Sequence, residues 1–148
     1  MRRKIIPDIV NNQRICALPA TTTAREAAEK MVECNTAAVV IVDAQNRLRG
    51  IATERDMTRR IIAKGRDAAT VTLADIMTSN PDTLRPDDSA LDALELMRLR
   101  NYRHLPVVDG ERVVGMVSIR DLYAAVKVEL EENIRETEAY VFGDRYGA

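Results

Sequence analysis

Residues 102–121 read YRHLPVVDGERVVGMVSIRD, and this stretch decides the fold. Two apolar, β-branched runs, LPVVD (105–109) and RVVGMV (112–117), are typical of buried strands, and the Asp-Gly pair between them predicts a tight hairpin turn. Directly after the second run, Ser118 stands three residues before Asp121, which is the spacing of a capped helix N-terminus. The stretch therefore predicts two paired strands followed by a helix.

The same pattern occurs earlier in the chain, in NTAAVVIVDAQNRLRGIATERD (35–56). A shift of 66 residues aligns the first half with the second, and after one residue is lost in a turn the shift becomes 65. Identical residues recur in this register, at the pairs Leu18 and Leu84, Ala24 and Ala90, Ala27 and Ala93, Met31 and Met97, Asn35 and Asn101, Val42 and Val108, Gly50 and Gly115, and Asp56 and Asp121. Self-similarity of this length indicates an internal repeat.

Each repeat has the same predicted order of elements, β-α-β-β-α. In the first repeat we expect strands near 14–18, over 38–43 and up to Gly50, with helices from about Thr23 and from beyond Thr53 to Gly65. In the second we expect strands near 82–84 and over 105–109 and 112–117, with helices from Ser89 and from about Ile119. Because each small sheet keeps an apolar face too large to expose, the two repeats are expected to pack on each other.

The predicted fold class is therefore α+β, with three parts along the chain. The first repeat with a lead segment takes residues 1–66, the second repeat with a linker takes 67–130, and a helix extension and tail take 131–148. Alternating Glu and Arg in the extension are typical of a solvated helix or a dimer contact. For the tail, VFGDRYGA (141–148), a loose end and a docking segment stay open as alternatives.

Composition and charge narrow the class of protein. The 148 residues carry 22 basic and 23 acidic side chains, a formal net charge of −1, and only 3% are aromatic. Such a chain offers no global attraction to nucleic acid and few platforms for base stacking, so nucleic-acid binding is not expected. No apolar run is long enough for a membrane span or a signal peptide, which predicts a cytoplasmic protein. Cys16 and Cys34 are expected to be reduced and partly buried.

The motif Ser/Thr-x-x-Asp stands at both predicted strand-to-helix corners, as Thr53–Asp56 and Ser118–Asp121. One interpretation is a helix cap, in which the hydroxyl and the carboxylate satisfy free backbone N–H groups. The other is a ligand site, because a helix N-terminus attracts anions and a carboxylate can accept a cis-diol such as ribose. In each corner a glycine just upstream leaves room for a ligand, and the arginine before the aspartate could pair with phosphate. Both interpretations stay open at this point.

Taken together, these segments resemble a tandem cystathionine-β-synthase (CBS) domain pair over roughly residues 7–130. The resemblance is carried by DIMTSNPDTLRPDDSALDALELM (75–97), by YRHLPVVDGERVVGMVSIRD (102–121) and by the weaker NTAAVVIVDAQNRLRGIATERD (35–56). It implies two βαββα repeats packed around a pseudo-two-fold axis, with adenosine-containing ligands bound in two clefts. The fold that it implies agrees with the order of elements predicted above.

The resemblance also implies a set of ligand-binding residues. Asp56 and Asp121 would take the ribose hydroxyls, with Thr53 and Ser118 near the ribose or the phosphate. The candidates on the phosphate side are Arg55, Arg103, His104 and Arg120. Thr78 and Ser79 would lie against the base, and Pro106 completes the set. Where the second repeat reads Arg-His-Leu-Pro (103–106) the first reads Ala-Ala-Val-Val (37–40), which predicts unequal occupancy of the two clefts.

The sequence thus predicts a regulatory binding module that is not an enzyme and has no catalytic cofactor. Its ligand would be an adenine nucleotide such as AMP, ADP or ATP, and it would act as a homodimer on an effector protein that the sequence does not identify. Alternatives are a purely structural dimerisation module, or a module that binds NAD(H) or S-adenosylmethionine. His104 is the single histidine, so a metal site is not expected, and no nucleophile with an orienting partner is recognisable.

Overall fold

The computed structural model of the chain describes residues 3–11 and 13–146. After a π-helical turn (Ile5–Ile9), the elements in chain order are β1 (Ala17–Leu18), α1 (Ala24–Cys34), β2 (Ala38–Val42), β3 (Leu48–Thr53), α2 (Glu54–Met57) with a π-helical continuation (Thr58–Ile62), α3 (Leu73–Ile76), β4 (Thr78–Ser79), α4 (Ala90–Arg100), β5 (His104–Asp109), β6 (Arg112–Ser118) and α5 (Ile119–Tyr146). The predicted α+β fold with two βαββα repeats is confirmed. The end of the predicted tail, residues 147–148, lies outside the described part of the chain.

Strand β2 is buried on both faces, which explains its unbroken apolar sequence. Val39 and Ile41 cluster with α1 and the linker of the same repeat. Ala38 and Val40 alternate with them and join Val113 and other residues of the second repeat. Since successive side chains of a strand point to opposite faces, one strand serves two hydrophobic layers.

The contact between the repeats is both apolar and hydrogen-bonded. Its apolar cluster takes Ile51 from β3 and Met116 from β6, which are equivalent positions in the two repeats. The hairpins also pair directly, since the Leu48 N–H donates to the Glu111 carbonyl (N···O 3.2 Å) and the Val113 N–H donates to the Asn46 carbonyl (N···O 3.2 Å). Equivalent residues thus face each other around a pseudo-two-fold axis.

The prediction of a strand near 82–84 is wrong. Only a single bridge forms there, in which Leu84 pairs in parallel with Val107. Its equivalent in the first repeat is the two-residue β1, which pairs in parallel with β2. A short pairing of this kind is held by the core cluster around Leu84 rather than by a ladder of hydrogen bonds.

Each repeat is completed by the segment that precedes the other repeat. Ile5 and Val10 of the lead segment lie in the core of the second repeat, and the Ile5 N–H donates to the Asp88 carbonyl (N···O 2.9 Å). Leu73 and Ile76 of the linker lie in the core of the first repeat. Residues from both sides of the predicted boundary between residues 66 and 67 therefore pack in the same cores. The boundary itself stays a prediction.

The linker also adds a strand that the sequence did not predict. Strand β4 pairs antiparallel with β3, with Gly50 opposite Ser79 and Ile51 opposite Thr78. At the equivalent place in the second repeat, the Gln13 side chain takes over this role: its Nε2 donates to the Met116 carbonyl (3.0 Å) and its Oε1 accepts from the Met116 N–H (2.9 Å). A side-chain amide can pair in this way because it carries one donor group and one acceptor, like a peptide unit.

The glycines of the two corners serve this packing. A Cβ on Gly50 would stand 2.7 Å from Met77 Sδ and 2.8 Å from the Thr78 carbonyl oxygen, so the linker fills the space beside it. A Cβ on Gly115 would stand 3.0 Å from Val10 Cγ1, an atom of the lead segment. The interpretation that these glycines leave room for a ligand is therefore wrong, because protein atoms occupy that room.

Replacing Gly50 by alanine is expected to destabilise the fold by about 1–3 kcal/mol, the usual cost of overpacking. The added methyl group would push on the backbone of β4, which cannot shift without losing its pairing to β3. Urea unfolding of G50A measures the loss. The matched comparison is G115A, for which we expect a smaller loss because its nearest contact is a side-chain atom, Val10 Cγ1 at 3.0 Å, rather than a backbone atom. Equal stability of G50A and the wild type would contradict this account.

Candidate functional site

Among the cavities between the repeats, two have linings that the internal register relates to each other. Cleft 1 has a volume of about 600 Å³ and is lined by Ala37, Ile51, Thr53, Glu54, Arg55, Asp56, Arg59, Arg60, Thr78, Pro81, Asp82, residues 100–105, Ser118, Ile119 and Arg120. Cleft 2 has a volume of about 300 Å³ and is lined by residues 13–16, residues 34–38, His104, Met116, Ser118, Arg120 and Asp121. Both volumes fall within the range of roughly 300–1,000 Å³ that is usual for small-molecule sites.

The structure brings most of the predicted ligand-binding residues to these clefts. Cleft 1 holds Thr53, Arg55, Asp56, Thr78 and Arg103, cleft 2 holds Asp121, and both are lined by His104, Ser118 and Arg120. Two predicted residues line neither cleft. Ser79 is exposed and pairs with Gly50 through the backbone, and Pro106 is fully buried within β5.

The first corner forms the predicted helix cap. Asp56 Oδ2 accepts from the Thr53 N–H (2.9 Å) and from the Thr53 hydroxyl (3.2 Å). The Thr53 hydroxyl in turn accepts from the Asp56 N–H (3.4 Å), which completes a reciprocal capping box. The interpretation of Thr53-x-x-Asp56 as a cap is therefore confirmed.

The second corner repeats this geometry. Asp121 Oδ2 accepts from the Ser118 N–H (3.0 Å) and from the Ser118 hydroxyl (2.9 Å), which itself accepts from the Asp121 N–H (3.2 Å). In both corners the cap uses Oδ2 and leaves Oδ1 to other partners. The Oδ1 atom of Asp56 lies 3.6 Å from Arg60 Nε. A cap and a ligand contact can coexist on one carboxylate, but one oxygen, rather than two, is available for a sugar.

Cleft 1 is rich in positive charge. Six arginines and three carboxylates line it, whereas two arginines and one carboxylate line cleft 2. Among residues 3–11 and 13–146, Arg55, Arg59 and Arg103 form no ion pair, and all three side chains are exposed. A cavity with several free guanidinium groups favours an anionic ligand, since arginine suits the geometry of phosphate and carboxylate.

Two arginines of cleft 1 hold its walls together. Arg60 Nη1 donates to the carbonyl of Ile76 (2.8 Å) and to that of Met77 (3.3 Å), which fixes the linker against the end of α2. Arg100 Nε lies 3.6 Å from Asp82 Oδ2, so the end of α4 is tied to the segment that precedes Leu84. These contacts position the wall next to the free arginines.

His104 lies between the clefts, half-buried at the start of β5. Burial lowers its pKa below the ordinary value of 6.5, the Arg103 guanidinium acts in the same direction, and the carboxylates of Asp121 and Glu54 oppose the shift. The imidazole is therefore neutral at neutral pH. It can offer one donor and one acceptor to a ligand, but no positive charge.

Several residues of the clefts were missed by sequence reasoning. Arg59 and Arg60 follow Arg55 and Asp56 by four positions, so helical spacing could have placed them on the same side of the corner. Arg100 ends α4 just before the predicted Arg103 and His104. The lining of cleft 2 by 13–16 has no such signal, because it depends on where the lead segment packs.

Comparisons with known proteins agree with this geometry. The family model described as CBS domain matches residues 1–63 and 73–128. The CBS domain-containing protein CBSX3, mitochondrial, of Arabidopsis thaliana is 38% identical over 125 residues, which is 82% of this chain and 61% of that protein. The CBS domain-containing protein YhcV of Bacillus subtilis (strain 168) is 33% identical over 117 residues, 79% of this chain and 81% of that protein. The chain thus spans about three fifths of the length of the plant relative.

A solved structure shows the same architecture with ligands bound. The CBS domain pair of protein MJ0100, in complex with 5′-methylthioadenosine and S-adenosyl-L-methionine, superposes with a TM-score of 0.78 at 26% identity. The match covers 87% of this chain and 99% of that one. The arrangement of two repeats is therefore shared with a protein that holds adenosyl compounds.

Replacing His104 by asparagine is expected to make the fold less sensitive to acid. Because the pKa of His104 is lowered in the native state, the unfolded chain binds its proton first as the pH falls below 6.5, and stability decreases. The free energy of unfolding in urea should fall more for the wild type than for H104N between about pH 7.5 and about pH 5.5. The wild type and H104N have the same carboxylates. An equal loss of unfolding free energy in the two proteins would therefore contradict the lowered pKa of His104.

Proposed function

The chain belongs to the CBS domain family, and from this premise we propose that it is a regulatory module that binds an adenine nucleotide in cleft 1. The observation that carries the proposal is the group of free arginines, Arg55, Arg59 and Arg103, in a cavity of about 600 Å³. Guanidinium groups favour a phosphate because they pair with its oxygens through charge-assisted hydrogen bonds. Catalysis is not part of the proposed function.

In the proposed complex, the sugar of the nucleotide lies at the corner of β3 and α2. The Oδ1 atom of Asp56, which faces Arg60, accepts a hydrogen bond from a ribose hydroxyl, while Oδ2 stays in the cap. The phosphate lies towards Arg55 and Arg103, which reach cleft 1 from opposite repeats. Thr78 of β4, with apolar neighbours such as Ile51 and Pro81, faces the base.

Cleft 2 has a different preference in this proposal. Ala37 and Ala38 line it at the positions that Arg103 and His104 occupy in cleft 1, so it holds fewer cations for a phosphate. Asp121 keeps the same open oxygen for a sugar. An adenosyl compound without phosphates fits this chemistry, and the ligands of the MJ0100 structure are of that class.

A purely structural module is the second candidate, and the completed caps favour it. Both aspartates already have a role in the fold, since each satisfies its own helix N-terminus. Under this alternative the arginines of cleft 1 are solvated surface groups, and no nucleotide is bound. The two candidates differ in whether Arg103 affects ligand affinity.

The module is further proposed to act as a homodimer on an effector protein. Helix α5 leaves Tyr123, Leu130, Ile134 and Val141 between 51% and 59% exposed, and their spacing places them on one face of the helix. In the dimer, the same face of α5 in a second copy of the chain packs against these side chains. None of the helices in the described residues is long and apolar enough to cross a membrane. Cytoplasmic localisation stays a prediction, because one relative is named as mitochondrial.

Calorimetric titration with AMP, ADP, ATP, NAD and S-adenosylmethionine tests the function. We expect submillimolar binding of at least one phosphate-bearing ligand. R103A should weaken that binding roughly 10- to 100-fold, which corresponds to loss of a charge-assisted hydrogen bond of about 1.5–3 kcal/mol. The matched control is R98A, which removes the same charge from an exposed site where Arg98 pairs with Glu95. Absence of heat with every ligand would contradict the proposal.

Aspartate variants separate the two candidate functions. D56A removes a cap in either case, so the free energy of unfolding should fall by about 1 kcal/mol. If cleft 1 is the nucleotide site, D56A also weakens nucleotide binding, and D121A, in cleft 2, does so much less. If the module is only structural, both variants lose stability and no ligand affinity changes.

The double variant Leu130→Glu with Ile134→Glu is expected to give a monomer in sedimentation equilibrium, because two carboxylates would be buried unpaired at the helix contact. Both side chains are 56% exposed in the single chain, so the fold itself should persist. The control Ala139→Glu adds a charge to the opposite face of α5 and should leave the dimer intact. A wild-type chain that sediments as a monomer would overturn the dimer.

A further inference from the structure

The two cysteines of the chain lie side by side on the wall of cleft 2. Cys16 directly precedes β1, and Cys34 is the last residue of α1. Both are half-buried free thiols that line the same cleft, and the Cys34 thiol is near enough to raise the pKa of the Cys16 thiol. These positions agree with the prediction that both are partly buried, whereas their reduced state stays a prediction. That the two cysteines lie on one wall was not predicted.

The alignment of the two repeats shows which residues stand at the equivalent positions in cleft 1. A shift of 66 residues places Cys16 on Asp82 and Cys34 on Arg100. In cleft 1 those two residues form an ion pair, with 3.6 Å between Arg100 Nε and Asp82 Oδ2. The same two places in the fold, the segment before the first strand and the end of the following helix, are thus linked in both clefts. Cleft 1 has an ionic link, and cleft 2 has a pair of thiols.

The surroundings of Cys16 favour its neutral thiol. Burial raises the pKa of Cys16 to about 12, the neighbouring Cys34 and Glu33 act in the same direction, and Lys30 opposes the shift. No third His, Cys, Asp or Glu side chain joins the two cysteines as a metal-binding group within the part of the chain that the structure describes. Two neighbouring cysteines of this kind can be oxidised to a disulfide.

We propose that Cys16 and Cys34 form a reversible intramolecular disulfide that ties β1 to the end of α1 and makes cleft 2 sensitive to the redox state. The oxidant is a small-molecule disulfide of the glutathione type. One of the two cysteines, as its thiolate, attacks the oxidant and releases one thiol. The sulfur of the other cysteine, on losing its proton, then displaces the second thiol from the mixed disulfide. Two protein thiols become one disulfide, and one oxidant disulfide becomes two thiols.

The bond would fix both walls of cleft 2. Residues 13–15 continue directly from Cys16 and residues 35–38 from Cys34, and all of them line the cavity. Closing the bond holds these two segments at one separation, whereas the ion pair of cleft 1 leaves its own walls free to part. A change in the affinity of cleft 2 for an adenosyl ligand follows, and this consequence depends on the proposed function, whereas the disulfide does not.

The test is to equilibrate the native full-length chain with mixtures of oxidised and reduced glutathione. Intact mass spectrometry should show the loss of two hydrogens, and peptide mapping without reductant should join Cys16 to Cys34. Dithiothreitol should reverse both results, and the melting temperature should be higher in the oxidised state. C16S and C34S should each remain uncrosslinked and serve as controls. The chain unfolded in urea should crosslink in much lower yield than the native chain at the same redox ratio.

A second variant tests the equivalence of the two clefts and does not depend on the native cysteines. In the background C16S/C34S, the changes D82C and R100C place thiols at the matching positions of cleft 1 and should form a disulfide as well. Persistent glutathione adducts on either native cysteine, disulfide-linked dimers, or equal yields in native and unfolded chains would overturn the proposal. Loss of nucleotide binding with an intact disulfide would refute only the proposed function.

Discussion

The structure depends on one constraint: the central strands are apolar on both faces, so other parts of the chain must pack against each face. Alternate residues of β2 meet the helices of their own repeat and the sheet of the other repeat. Neither repeat can satisfy this constraint alone, since a half-buried sheet would expose Ala38, Val40 and Ile51. Pairing the repeats buries these side chains, and the clefts lie where the paired sheets diverge at their strand-to-helix corners. The candidate sites are therefore a consequence of how the core is closed.

What the sequence predicted well is what is local or repeated. The period of apolar residues placed α1 and α4, and both helices begin where predicted, with Thr23 and Ser89 as their N-caps. The duplicated corner was found because Thr53-x-x-Asp56 and Ser118-x-x-Asp121 stand in one register, and its geometry is the same in both copies. Such features depend on residues that are close in the sequence, or on a comparison of the two repeats. They can therefore be predicted from a single sequence.

What the sequence did not predict depends on contacts between distant segments. The lead segment covers the second repeat and the linker covers the first. These contacts join segments far apart in the sequence, so no local pattern indicates them. The sequence around Gln13 does not indicate that its side chain would bond to the backbone of β6 in the way that β4 bonds to β3. The adjoining thiols belong to the same group, since Cys16 and Cys34 meet only when β1 and α1 are packed.

The comparison of the two clefts separates what the fold requires from what is left to vary. The corners are alike because the capping boxes hold the helices, and the proposed ligands use the carboxylate oxygen that each cap leaves out. The walls differ in charge at one equivalent position, where Arg103 of cleft 1 corresponds to Ala37 of cleft 2, whereas His104 lines both clefts. Arg103 is not needed for the caps, so this position is free to set the charge of each cavity. In the proposed function, selectivity between ligands resides in this difference, and the duplicated aspartates provide a contact common to both sites.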